Sequence, residues 1–192
     1  MLFSARICST SSAPIVSVRF LSNILTQVPE ILSDPGMFKG VKILYVGIGN
    51  VLKKDDGIGV YISQRIKTRN NVSSITAEVS IENYIGKINS LRPDVLIIID
   101  CVEMGESPGS YKLLFVSMLQ DNTYNTHNIS LKKLSEFFPM PVFILGIQPE
   151  SVDFGENISY LVKYEADNLI KLINSEEELW RSIIYAKLAE GT

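Results

Sequence analysis

The chain has 192 residues, 46% apolar and 20% charged, with 18 basic against 21 acidic side chains and a formal net charge of -3. That size and mix predict one globular domain whose core needs neither a disulfide nor a structural metal to hold it. Without an excess of basic charge, nucleic acid and anionic membrane surfaces are set aside as partners. The two cysteines, Cys8 and Cys101, stand at no zinc-like spacing. They exclude a disulfide scaffold, a cysteine zinc site and an iron–sulfur cluster, and they suit a reducing cytosol. Apolar runs such as Val95 to Ile99 are strand-sized, far short of the ~20 residues of a membrane span, so a soluble protein with no membrane insertion is expected. His127 is the sole histidine, which rules out every mechanism needing two imidazoles. A metal here must lean on carboxylates.

Residues 1–40 read as an N-terminal extension and residues 41–192 as a single α/β domain. The first 29 residues hold Arg6 and Arg19, no acid, and a scatter of Ser and Thr, a composition compatible with a mitochondrial transit peptide. Against that, Phe20, Leu21, Ile24, Leu25, Val28, Ile31 and Leu32 recur at three- and four-residue steps, predicting a docked amphipathic helix over 19–32. Asp34-Pro35-Gly36 then forms a turn.

Beyond it, strand and helix signals alternate. Strands are expected at Val41 to Val46, Ile75 to Val79, Val95 to Ile99, Tyr111 to Val116 and Val142 to Ile147. Helices are expected at Ile58 to Arg69, Glu82 to Leu91, Ser130 to Phe138 and through Ile158 to Leu188. This order predicts an α/β fold: a doubly wound, mostly parallel five-stranded sheet with helices on both faces and its site at the carboxyl ends of the strands. The Tyr111 strand is the exception. Its connection, Gly105-Glu106-Ser107-Pro108-Gly109, carries no helix, which suits an antiparallel strand.

Three constellations could carry chemistry. Gly47-Ile48-Gly49-Asn50 and Asp55-Asp56-Gly57-Ile58-Gly59 fall where the first strand gives way to the first helix. A dinucleotide fingerprint needs a third glycine where Leu52 stands, two carboxylates would repel a pyrophosphate, and no glycine-lysine-serine/threonine phosphate loop occurs. A helix N-cap with a first-turn acid explains one of the two aspartates more easily than both. Asp100 closes the apolar strand Val95 to Ile99, either as a turn residue or as a pocket carboxylate; Cys101 beside it reads as a small buried side chain. Thr126-His127-Asn128 precedes the helix near Ser130. A lone loop histidine is ordinarily a surface residue, but the loops bearing Asp56, Asp100 and His127 could meet at one sheet edge as an oxygen/nitrogen site for a divalent ion.

These motifs, together with Met104-Gly105, Pro108-Gly109 and Gly146-Ile147-Gln148-Pro149-Glu150, resemble in type and order the hydrogenase maturation endopeptidases, from about Lys42 to Lys171. Glu82-Asn83, Met104-Gly105 and Gly146 to Pro149 look most like the branch that processes formate-hydrogenlyase and other membrane-bound hydrogenases. Ile81 departs from that branch, which commonly has proline there, and Asp56 replaces the glutamate of the hydrogenase-2 type. The resemblance implies a cytoplasmic endopeptidase that removes the C-terminal extension of a nickel-loaded nickel–iron hydrogenase large-subunit precursor. It implies that Asp56, Asp100 and His127 contact nickel borne by the substrate, with no organic cofactor. Asp55 joins these three as a candidate for the hydrolytic step, and the enzyme is expected to act as a monomer. A nickel-sensing checkpoint or chaperone that does not cut would use the same ligands, and a nucleotide-binding doubly wound domain is the third reading.

Overall fold

The computed structural model describes residues 40–116 and 131–175. Five strands, β1 (Ile43–Ile48), β2 (Val72–Glu78), β3 (Val95–Cys101), β4 (Tyr111–Phe115) and β5 (Val142–Ile147), form one sheet in the order β2-β1-β3-β5-β4. All neighbours run parallel except β4, which lies antiparallel against β5. This is the topology expected from the sequence, including the reversed strand, because a short connection without a helix cannot return a chain for a parallel pairing.

Strand alternation divides the core in two. Ile43, Tyr45, Ile97, Ile99, Phe143 and Leu145 point to the face covered by helix α1 (Ile58–Ser63) and helix α4 (Tyr160–Asn174). Leu44, Val46, Leu96, Ile98 and Ile144 point to the face covered by α2 (Ile85–Leu91) and α3 (Leu131–Ser135). Both faces of β1 and β3 are therefore dry, which is why these strands are unbroken apolar runs instead of alternating ones.

Helix ends depart from the sequence pattern where turns, prolines or distant side chains decide them. The expected helix Ile58 to Arg69 stops at Ser63: Arg69 and Val72 exchange backbone hydrogen bonds around Asn70-Asn71, turning the chain into β2 three residues earlier than expected. The expected helix Glu82 to Leu91 begins as a 3-10 turn, Ile81–Tyr84, and ends at Leu91, where Arg92 adopts φ 47°, ψ 57°. A residue before proline resists the right-handed helical region, and the left-handed one closes the helix instead. The helix drawn from Ile158 to Leu188 ends at Asn174, because Ser175 is extended (ψ 152°) and the Arg69 guanidinium binds the carbonyls of Ile173, Asn174 and Ser175. That contact places a cation on the terminal carbonyls of the helix, where its dipole favours one. The extension with its expected helix over 19–32, residues 176–192, and the loop bearing His127 lie outside the described residues.

Chain direction sets where a site can form. From β1 the chain crosses to β2 on one side, whereas from β3 it proceeds to β4 and β5 on the other. The carboxyl ends of β1 and β3 thus flank a topological switch point, where open α/β sheets leave a crevice.

Candidate functional site

Two glycines let the first loop and helix press against that crevice. Gly49 takes φ 131°, and a Cβ there would overlap the Asp56 carbonyl oxygen; a Cβ on Gly59 would overlap the carbonyl oxygens of Ile48 and Ile99. Only glycine tolerates both the torsion and the approach. The loop from Asn50 folds back through an Asx turn, Asn50 Oδ1 accepting from the Leu52 N–H at 2.9 Å. The chain then enters the 3-10 turn Lys54–Gly57, in which Asp55 and Asp56 are buried.

The paired aspartates are not helix caps: α1 has no side-chain capping hydrogen bond. Their carboxylates turn to different tasks. Asp55, fully buried, spends both oxygens on one segment. Oδ1 accepts from the Ser159 N–H at 2.6 Å, and Oδ2 accepts from the N–H of Glu150 at 2.8 Å, the N–H of Ser151 at 3.0 Å and the Ser159 hydroxyl at 2.8 Å. A carboxylate so engaged is a clasp between the first loop and the segment after β5. These bonds give Asp55 a positioning task, in addition to its expected place among the hydrolytic groups. Asp56, 5% exposed, accepts on Oδ2 from the Asn50 N–H at 2.9 Å.

Asp100 is 7% exposed and stands inside β3, opposite Gly146 of β5, so the strand runs two residues beyond its expected end. Its Oδ1 accepts from the Cys101 N–H at 2.8 Å. Burial pushes the carboxyl up to about 8; the Cys101 N–H opposes this, and the charge of Asp56 reinforces it. The turn carrying Asp56 packs against β3, so Asp56 and Asp100 approach the switch point from two different strand ends. Cys101 remains a thiol, because burial and then the charges of Asp100, Asp56, Asp55 and Glu103 all disfavour the thiolate. A cysteine nucleophile is thereby set aside.

Sequence reading missed the role of Gln148, at the exit of β5 and 4% exposed. Its Oε1 accepts from the N–H groups of Met104 (2.7 Å) and Glu106 (3.3 Å), while Nε2 donates to Glu103 Oε1 (2.9 Å) and the Pro149 carbonyl (3.2 Å). This amide fixes the loop that follows Asp100. The available signal was a lone amide between a buried strand and Pro149.

The edge therefore presents a pair of acidic side chains, suited to a cation and hostile to a phosphate. Among the described residues no group of three or more metal-type side chains forms. Asp56 and Asp100 are the two donors placed together, and His127 lies outside the described residues.

The comparisons with known proteins agree with this architecture. The family model HycI, hydrogenase maturation protease, matches residues 58–176. The hydrogenase 3 maturation protease of Escherichia coli is 32% identical over 137 residues, covering 68% of this chain and 87% of that protein. The crystal structure of the nickel–iron hydrogenase maturation protease HycI from Thermococcus kodakarensis superposes with a TM-score of 0.64 at 27% identity, over 71% of this chain and 93% of the other. The solution structure of the endopeptidase HycI from Escherichia coli gives a TM-score of 0.60 at 26% identity, over 69% and 89%.

Proposed function

The chain belongs to the hydrogenase maturation proteases, and from that premise we propose that it removes the C-terminal extension of a nickel-loaded nickel–iron hydrogenase large-subunit precursor. One observation carries the reading: two buried aspartates, Asp56 and Asp100, converge from separate strand ends on the switch-point crevice of a sheet whose relatives process hydrogenases. Paired carboxylates are hard donors that bind a divalent ion and also serve acid–base chemistry in peptide hydrolysis.

In this reading nickel is part of the substrate. Asp56, Asp100 and His127 grip the ion carried by the precursor, and no organic cofactor takes part. The grip brings the adjoining peptide bond to the carboxylates. Water adds to the carbonyl carbon, the C–N bond breaks, and the leaving amine takes a proton. The aspartates are the groups proposed for these proton transfers, in an aspartic-type mechanism. The enzyme acts as a monomer in the cytoplasm, and among the described residues no helix is long and apolar enough to cross a membrane. Its branch is the one that processes formate-hydrogenlyase and membrane-bound hydrogenases.

The test is a set of single substitutions, Asp56→Asn, Asp100→Asn and His127→Ala, assayed on the nickel-loaded precursor. Each is expected to lower cleavage by at least 100-fold while circular dichroism stays unchanged. Retained cleavage in any of the three removes that residue from the site. Tight nickel-dependent binding of the precursor by the native protein, without a shortened product, would favour a checkpoint protein over an enzyme.

A further inference from the structure

The clasp made by Asp55 has a second consequence at the surface. Among the described residues ten large apolar side chains are exposed, and six of them, Val51, Leu52, Val152, Phe154, Tyr160 and Leu161, fall in the first loop, the segment after β5 and the start of α4. The first loop and the segment after β5 are tied to each other by backbone. Gly155 donates to the Leu52 carbonyl at 2.9 Å, Lys54 donates to the Gly155 carbonyl at 2.6 Å, and Asp55 donates to the Ser151 carbonyl at 3.2 Å. Side chains add the Lys54–Asp153 pair at 3.6 Å and the four acceptor contacts of Asp55. Phe154, 84% exposed, and Leu52, 54% exposed, are therefore held outward on a braced rim. Neither supports the core: both core clusters form without them.

We infer that this rim is the docking surface for the folded large-subunit precursor, with Phe154 and Leu52 as its apolar anchors. The inference rests on the endopeptidase reading and deepens it. Three observations choose the occupant. The rim begins one residue after Asn50, whose N–H holds Asp56, so whatever covers it lies against the acidic crevice. It is concentrated at the carboxyl edge, where Asp56 and Asp100 sit, and exposed clustered aromatic and apolar groups near a site mark a protein interface. It is preformed by a buried carboxyl group and six hydrogen bonds with main-chain partners, so docking pays little ordering entropy. A carboxylate crevice can receive a cation but offers an apolar peptide nothing; the neighbouring rim supplies the contact that holds a protein substrate while the ion is tested.

The experiment compares the full chain, the double variant Leu52→Asp/Phe154→Asp, and Phe137→Asp, which alters an exposed apolar residue between α3 and β5, at the opposite end of the sheet. Affinity for the nickel-loaded precursor and steady-state cleavage are measured separately. The rim variant is expected to bind at least 10-fold more weakly and to raise KM by a similar factor, with kcat within twofold and an unchanged melting curve. Phe137→Asp should match the native chain, and Phe154→Leu in a Leu52 background should recover most of the affinity. Unchanged affinity in the rim variant overturns the docking surface while leaving the endopeptidase reading intact. Native binding without cleavage, weakened in the rim variant, keeps the docking surface and overturns the endopeptidase. A native dimer that the rim variant dissociates, with precursor affinity unaffected, assigns the rim to a second copy and overturns the inference, as does a native chain that neither binds nor cuts the precursor.

Discussion

Replacing Asp55 by alanine should show how much the clasp contributes. The substitution strips side-chain acceptors from the Glu150, Ser151 and Ser159 N–H groups and from the Ser159 hydroxyl. Hydrogen bonds to a charged partner are individually worth about 1.5–3 kcal/mol, but four bonds to one carboxylate do not add. The segment they hold is partly solvent-facing, since Val152 and Phe154 are exposed, so water can replace some of what is lost. The expected cost is that of breaking a buried charged network, about 3–5 kcal/mol, or a fall in Tm of roughly 10 °C for a domain of this size. Asp55→Asn keeps one oxygen and should lose about half as much. Ser159→Ala should cost about 1 kcal/mol alone and almost nothing in the Asp55→Ala background. Urea unfolding of the four proteins at neutral pH supplies the cycle. A loss below about 1 kcal/mol for Asp55→Ala, or strict additivity with Ser159→Ala, would show that Asp55 is no clasp.

Three further outcomes follow from the same geometry. Asp100 has its folded pKa raised to about 8 by burial, against about 3.9 unfolded, so the native state binds the extra proton between those limits. Its contribution to stability is whole below about pH 4 and is lost as pH rises toward 8, by up to about 1.4 kcal/mol per pH unit. Asp100→Asn should therefore stabilise the metal-free chain more at pH 8 than at pH 5; equal melting shifts at both would refute the burial. Gln148→Ala should free the loop at Met104 and Glu106, cost about 1–3 kcal/mol, and speed hydrogen exchange at those two amides; unchanged exchange would dismiss the amide as their anchor. Gly59→Ala forces a methyl onto the Ile48 and Ile99 carbonyls and should destabilise by more than about 3 kcal/mol, so a native melting curve would show that α1 can retreat from the sheet.

The sheet was legible because its strands carry their own evidence. Val95 to Ile99 is apolar without interruption because both of its faces are covered, and Gly105 to Gly109 is too short for a crossover helix. Helix ends were not legible where a distant residue decides them. Arg69 stops α4 from 104 residues away in sequence, and periodicity within the helix contains no trace of it. The same difference separates the site residues. The placement of Asp56 and Asp100 was legible because loops at carboxyl strand ends converge at a switch point, a property of topology. The division of labour between Asp55 and Asp56 was hidden, because adjacent residues of identical chemistry differ only in which way the 3-10 turn aims them: one toward Ser159, the other toward the Asn50 N–H. Gln148 was visible as part of a motif and silent as to role, since its partners Glu103, Met104 and Glu106 lie on the preceding loop.

The central claim is that the acidic crevice recognises nickel within a precursor and that a peptide bond is cut in consequence. The most direct measurement is the intact mass of the hydrogenase large-subunit precursor, with and without nickel, after incubation with the purified full chain. The account predicts that the nickel-loaded precursor loses its C-terminal extension at one bond, and that the metal-free precursor keeps its full mass under the same conditions. Cleavage of both forms alike would contradict recognition of the ion, and an intact nickel-loaded precursor would contradict the endopeptidase.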